Sequence, residues 1–331
     1  MPAGRLSRRA FLTRPAPART GDVLVRLHRR IMACRVEVAL PGEAAGAMTC
    51  CGAALNEAER LEDVMTIFRE ASELSRINRE AHLTPVPVSD DLLAVLSQAE
   101  SVSRATGGAF DITSTPLSNC WGFLRRRGLL PSAGQIEEAR QSVGMDLVAL
   151  DAVDRTVSFR RPGVALNLGA IGKGFALDRM AAVLKAEGIS GALLSAGYSS
   201  ILALGGHASP WPVDLRTATD GGLLARLRLT DAAVGTSGAG EQFFELNGVR
   251  YGHVIDPRTG WPASGVLSAS VIASSAARAD ALSTAFLIGG LGLAREYCAS
   301  HADVLTIVTP ADGVRRPVIV GSHPGARVER R

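Results

Sequence analysis

From residue 54 to 80, Leu55, Ala58, Leu61, Val64, Met65, Phe68, Ala71 and Leu74 recur mostly at intervals of three and four, the apolar stripe of one long helix. Ser89-Asp90-Asp91 supplies an N-cap followed by first-turn acids, which predicts a second helix ending at Thr106-Gly107-Gly108. Shorter patterns predict helices near 134–143, at 175–187 and at 277–289. Strands are expected at 32–40, 224–230, 242–255, 267–273 and 303–309, with a hairpin over 146–160. The stretch 164–205 reads as strand, glycine loop, helix and strand. Long helices mixed with hairpins predict an α+β fold in one compact unit, with mixed or antiparallel sheets and helices packed on them.

Composition narrows the function. The chain has 331 residues and a net charge of +4, yet residues 1–30 hold eight arginines against one acid, Asp22, and contribute +7. The remainder is therefore at −3, which argues against a nucleic-acid-binding face. The five cysteines are scattered, with no metal-binding spacing and no disulfide framework. The longest apolar candidate, around 279–294, is broken by Asp280 and glycines, so no integral membrane span is expected. Residues 1–30 read as a basic leader, 31–320 as the domain and 321–331 as a tail. Ser7-Arg8-Arg9-Ala10-Phe11-Leu12 fits a twin-arginine export pattern, but 13–20 lacks the apolar core of such a signal. The leader is thus either disordered or a degenerate signal, and the compartment stays open between cytoplasm and cell envelope.

Three places carry chemistry. Leu166-Asn167-Leu168-Gly169-Ala170-Ile171-Gly172-Lys173-Gly174 joins an expected strand to a helix, where backbone N–H groups and the helix dipole can seat a phosphate. A Walker A loop would have Gly at 167 and Ser or Thr at 174, so a P-loop NTPase is excluded. Only Lys173 and Lys185 among 36 basic residues are lysines, and a lysine inside a glycine loop suits a compact charge facing a phosphate or a flavin edge. Asp280 and Thr284 lie on one helix flank beside Ser283 and offer hard oxygen ligands to Mg2+. Tyr251-Gly-His253-Val-Ile-Asp-Pro-Arg-Thr-Gly260 brings a titratable histidine next to a turn. Each also has a plain structural reading: a packing turn, a helix cap, a satisfied histidine. Together they point to a magnesium-dependent reaction on a phosphate ester.

Taken in order, the segments around Met32, Glu73–Asn78, Thr106–Thr113, Trp121–Phe123, Leu168–Gly174 with Asp178, Thr236–Gly238, Tyr251–Gly260 and Ala279–Thr284 resemble the ApbE family of FAD:protein FMN transferases. The resemblance implies a T-fold-like domain that binds FAD and Mg2+. It also implies transfer of the FMN moiety to a threonine of an acceptor flavoprotein, with release of AMP. By the same resemblance the metal ligands are the Ala170 carbonyl, Asp280 and Thr284, with Ser283 where some members carry another acid. FAD is expected to touch Met32, Ala109, Phe110, Asp111, Asn167, Lys173 and Val254, and His253 matches the catalytic histidine. Four positions depart from the family pattern: Ala33-Cys34 after Met32, Asn167 for an aspartate, Tyr198 for a glycine, and Ala239-Gly240 after Gly238. The resemblance leaves two alternatives open, a pyrophosphatase splitting FAD into FMN and AMP, and a non-catalytic FAD-binding maturation protein.

Overall fold

The computed structural model describes residues 12–13, 23–125, 127–206, 209–217, 221–240, 242–312 and 316–329. Among these, the largest element is an eight-stranded antiparallel sheet. Its strands run across the sheet in the order Val318–Gly321, Leu305–Pro310, Val266–Ala273, Ala232–Gly238, Ser200–Leu204, Ala192–Ala196, Cys34–Pro41 and Leu24–Ile31. A four-stranded sheet stacks on one face, with Trp211–Arg216 and Leu223–Leu229 between Leu12–Thr13 and Ala326–Glu329. On the other face lie α1 (Ala47–Met65), α6 (Gly172–Ala186) and α7 (Ala276–Ser300), with α2 (Glu73–Glu80) and α3 (Asp90–Ala105) packed beyond them and α4 (Thr115–Cys120) and α5 (Ala133–Arg140) in a separate cluster.

The pleat explains this layering. Val38 and Leu40, Leu194, Leu202 and Leu204 point to α1 and α6, whereas Ala39, Leu193, Ile201 and Ala203 point to the smaller sheet. Central strands are therefore apolar on both faces and carry little of the apolar/polar alternation of a half-exposed strand.

Several sequence expectations are met. α3 starts where Ser89 accepts a hydrogen bond from the Leu92 N–H, and α5 starts with a full capping box between Ser132 and Gln135. The hairpin over 146–160 is present as Val148–Asp151 paired with Thr156–Phe159. The α+β class holds, with antiparallel sheets and packed helices.

Other expectations need correction. The single helix over 54–80 is two, because Thr66 is extended and Ser72 re-initiates the chain by capping α2 through the Ser75 N–H. The strand over 242–255 is a hairpin, Phe243–Leu246 with Val249–Gly252. Its turn residues Asn247 and Gly248 have φ of 52° and 77°, the conformation an Asn-Gly pair adopts most readily. No strand precedes the glycine loop: the Asn78 side chain instead bonds both the N–H and the C=O of Leu166. Residues 24–30, assigned to the leader, form the edge strand Leu24–Ile31, which buries Ile31, exposes Arg26 and Arg30 and pairs Arg29 with Asn56 and Glu59 of α1. Within the expected tail, Ala326–Glu329 pairs with Leu223–Leu229. Ser7–Phe11 of the twin-arginine-like run lie outside the described residues.

Candidate functional site

Two helices meet nose to nose beneath the sheet and cap one another. Asp178 of α6 accepts hydrogen bonds from the Ala276 and Ala277 N–H groups (2.8 and 3.0 Å) and from Ser275 Oγ (2.8 Å) at the start of α7. Asp280 of α7 returns the arrangement, its Oδ2 accepting from the Gly174 N–H of α6 at 2.8 Å and its Oδ1 from Ser200 Oγ at 2.6 Å. A carboxylate at a helix N-terminus is favoured by the dipole and by the orphan amides there. Two glycines permit the approach. A Cβ at Gly174 would lie 2.1 Å from the Ala276 carbonyl oxygen, and one at Gly235 would lie 2.6 Å from the backbone of Ala279 and Asp280.

The glycine loop differs from the expected phosphate cradle. The Gly169 N–H goes to Asn167 Oδ1, those of Ile171 and Gly172 go to the Leu168 carbonyl, and that of Gly174 goes to Asp280. With these four amides committed, the charge that can meet an anion here is that of the Lys173 side chain. In an α-helix the Gly174 amide would return to the Ala170 carbonyl, so its diversion frees that oxygen of its usual partner. The Lys173 ammonium donates to Ser199 Oγ at 2.5 Å.

Two cavities adjoin here. The smaller, about 280 Å3, is walled by Ala109, Phe110 and Asp111, by Asn167, Ala170 and Lys173, by His253 and Val254, and by Asp280, Ser283 and Thr284. Thus eleven of the twelve site residues expected from sequence converge on one space. The twelfth, Met32, lines a larger cavity of about 830 Å3 together with Cys34, Phe68 and Tyr198. Asn167, Gly169, Lys173, Ser199 and His253 belong to both walls, so the two spaces share a boundary.

The two acids in this wall behave differently. Asp111 accepts from the Thr113 N–H, Thr113 Oγ1 and the Met145 N–H, so its carboxylate pins the loop it sits on; burial pushes its pKa up. Asp280 is 6% exposed, and burial raises its pKa to about 6 against the opposing pull of Lys173. His253 is half-buried, and burial, aided by the Lys173 charge, lowers its pKa. Its Nδ1 lies 3.1 Å from the Gln242 carbonyl oxygen. A carbonyl only accepts, so Nδ1 carries the proton and Nε2 is the free base of the neutral ring.

A hydroxyl chain closes the site. Ser283 Oγ donates to the Asp280 carbonyl at 2.8 Å, which commits its proton and leaves it an acceptor for Ser237. Ser237 Oγ bridges Ser283 Oγ (2.8 Å) and Thr284 Oγ1 (3.1 Å). Among the described residues no three of His, Cys, Asp and Glu gather as a metal-binding group. A cation here would have one carboxylate and otherwise carbonyl and hydroxyl oxygens.

The sequence profile described as the ApbE family matches residues 32–308. The chain belongs to the ApbE family. A Salmonella typhimurium protein named FAD:protein FMN transferase is 32% identical over 243 residues, covering 70% of this chain and 69% of its own length. The crystal structure of the ApbE protein of Thermotoga maritima is similar with a TM-score of 0.82 at 28% identity, covering 91% of this chain and 97% of its own. The structure titled flavin transferase ApbE from Vibrio cholerae is similar at 0.78 and 27% identity, covering 93% and 97%.

Three of the departures fall in turns. Asn167 forms the turn that ends at Gly169, Cys34 follows a tight hairpin in which Met32 and Ala33 both have positive φ, and Tyr198 sits on the turn between two central strands. Sequence reasoning missed Ser199, Ser200 and Ser237 as site residues. Two hints were available: Ser237 falls in the Thr236–Gly238 segment, and Ser200 is a hydroxyl at a position where the alternation Leu202, Leu204 calls for an apolar side chain.

Proposed function

We propose that this ApbE-family chain is an FAD:protein FMN transferase that works with Mg2+ and modifies a threonine hydroxyl of an acceptor flavoprotein. The observation that carries the reading is the convergence of Lys173, His253 and the Asp280–Ser283–Thr284 oxygens on one small cavity bordering a larger one. A dinucleotide needs both a chamber for its diphosphate and room for its rings.

The donor chemistry fits Mg2+. Every candidate ligand is a hard oxygen, the Ala170 carbonyl has lost its helical amide partner, and the single carboxylate is one whose charge burial disfavours. When bound, Mg2+ neutralises charge on the diphosphate and on the departing phosphate.

The chain's own groups supply the rest. Lys173 exchanges its bond with Ser199 for a non-bridging phosphate oxygen and so orients the diphosphate. His253 Nε2, basic because Nδ1 is held by the Gln242 carbonyl, takes the proton from the threonine Oγ. The Oγ attacks the FMN-side phosphorus, the bond from that phosphorus to the bridging oxygen breaks, and AMP leaves with the bridging oxygen. Positioning and charge stabilisation carry most of the rate in phosphoryl transfer.

The test is incubation with FAD, Mg2+ and a co-expressed target bearing Asp-x-x-Ser-[Gly/Ala]-Thr. Covalent flavin fluorescence on a denaturing gel, absent with His253→Ala, supports the reading. AMP formed equally well without a target supports a pyrophosphatase instead, and FAD bound with no AMP formed supports a maturation protein.

A further inference from the structure

Ser200 is fully buried at the start of the strand Ser200–Leu204, on the side whose later members, Leu202 and Leu204, pack against the helices. A hydroxyl in an apolar row carries a desolvation penalty unless it is bonded, and its partner is Asp280 Oδ1 at 2.6 Å. The other carboxylate oxygen is held by the Gly174 amide. One donor alone would leave the carboxylate free to turn about its Cβ–Cγ bond. Two donors, one from α6 and one from the strand Ser200–Leu204, fix its plane. The lone pairs they leave unused are those with which Asp280 meets the cavity shared with Ala170 and Thr284.

We propose that Ser200 is a positioning residue that locks the Asp280 carboxylate in the orientation required to ligate the metal; this rests on the Mg2+ reading above. Groups that orient a metal ligand without touching the metal contribute about 10- to 100-fold to its affinity. Ser200 is well placed for that role, since its neighbour Ser199 holds Lys173 and lies 3.4 Å away, oxygen to oxygen. Two consecutive serines of one strand thereby hold the Asp280 carboxylate and, before a phosphate is bound, the Lys173 ammonium.

The experiment is calorimetric titration of Mg2+ alone into the wild-type protein and into Ser200→Ala, Ser200→Cys and Ser200→Thr, each first checked for a cooperative melt. Ser200→Ala is expected to bind Mg2+ about tenfold or more weakly. Ser200→Thr, which keeps the hydroxyl, should restore affinity towards wild type. Ser200→Cys keeps the volume but offers a weak donor and should resemble the alanine variant; it serves in its place if Ser200→Ala does not fold. Wild-type Mg2+ affinity in Ser200→Ala or Ser200→Cys overturns the proposal, because a residue that merely packs would leave metal binding unmoved. If the wild-type protein itself binds no Mg2+, the metal reading fails first and the role of Ser200 with it, a failure visible before any variant is compared.

Discussion

Gly172 and Gly174 lie two residues apart in the first turn of α6, yet replacing each by alanine should shift stability in opposite directions. A methyl at Gly172 would find its nearest neighbours, Leu168 Cβ and the Met65 methyl, at 3.7 and 3.8 Å, ordinary van der Waals contact. Gly172→Ala should therefore stabilise by about 0.4–1 kcal/mol through helix propensity and a less flexible unfolded chain. At Gly174 the same methyl would meet the Ala276 carbonyl oxygen at 2.1 Å and the Ala277 nitrogen at 2.6 Å, main-chain atoms that no rotamer change can move. α6 and α7 would have to part by about an ångström, straining the Asp280 bond to the Gly174 amide and the Asp178 bonds to α7. Overpacking of this kind costs about 3 kcal/mol, so the net loss after the propensity gain is about 2 kcal/mol. For a chain of this length that is about 3 °C off the melting temperature, against about 1 °C gained for Gly172→Ala. Differential scanning calorimetry on the ligand-free variants decides the matter. A Gly174→Ala protein as stable as wild type, or equal destabilisation at both positions, would refute the account of how the two helix starts are brought together.

Three further expectations concern the site. His253 is held below its ordinary pKa of 6.5, so its proton-accepting form persists into mildly acidic solution. The acid limb of kcat/KM should have its midpoint below 6.5, and a midpoint of about 7 or above would contradict the burial argument. The same shift has a stability sign: the unfolded chain takes up the proton more readily, so stability attributable to His253 is lost as pH falls through 6.5, and His253→Gln should flatten that slope in thermal melts. Lys173→Arg keeps the charge but puts a planar guanidinium where an ammonium fits against Ser199; FAD affinity should drop about tenfold by fluorescence titration, and an unchanged Kd would remove the case for a compact charge. Asp280→Ala should eliminate Mg2+-dependent turnover while shifting the metal-free melting temperature by less than about 4 °C, since burial of this carboxyl offsets much of what its hydrogen bonds contribute. A collapse of the melt would show that Asp280 is chiefly a helix cap.

What the sequence determined by itself was the local chemistry. The Ser89 cap, the α3 stop at Thr106-Gly107-Gly108 and the hairpin over 146–160 depend on neighbouring residues, and each was legible. The ordered motifs also picked out residues that line the small cavity. Elements that depend on distant partners were less legible. The break between α1 and α2 carries no proline or glycine, and it is decided by how the chain packs after Thr66. The strand Leu24–Ile31 looked like a basic leader because an edge strand can leave its arginines in water, and only its pairing with Cys34–Pro41 reveals it. Tertiary structure alone also decided that the Gly174 amide is spent on Asp280, that Asp178 and Asp280 cap each other's helices, and that Ser199, Ser200 and Ser237 complete the site. Those are contacts across 26 to 106 residues of chain, and a hydrogen bond between groups that far apart is set by the packing of whole elements rather than by any local pattern.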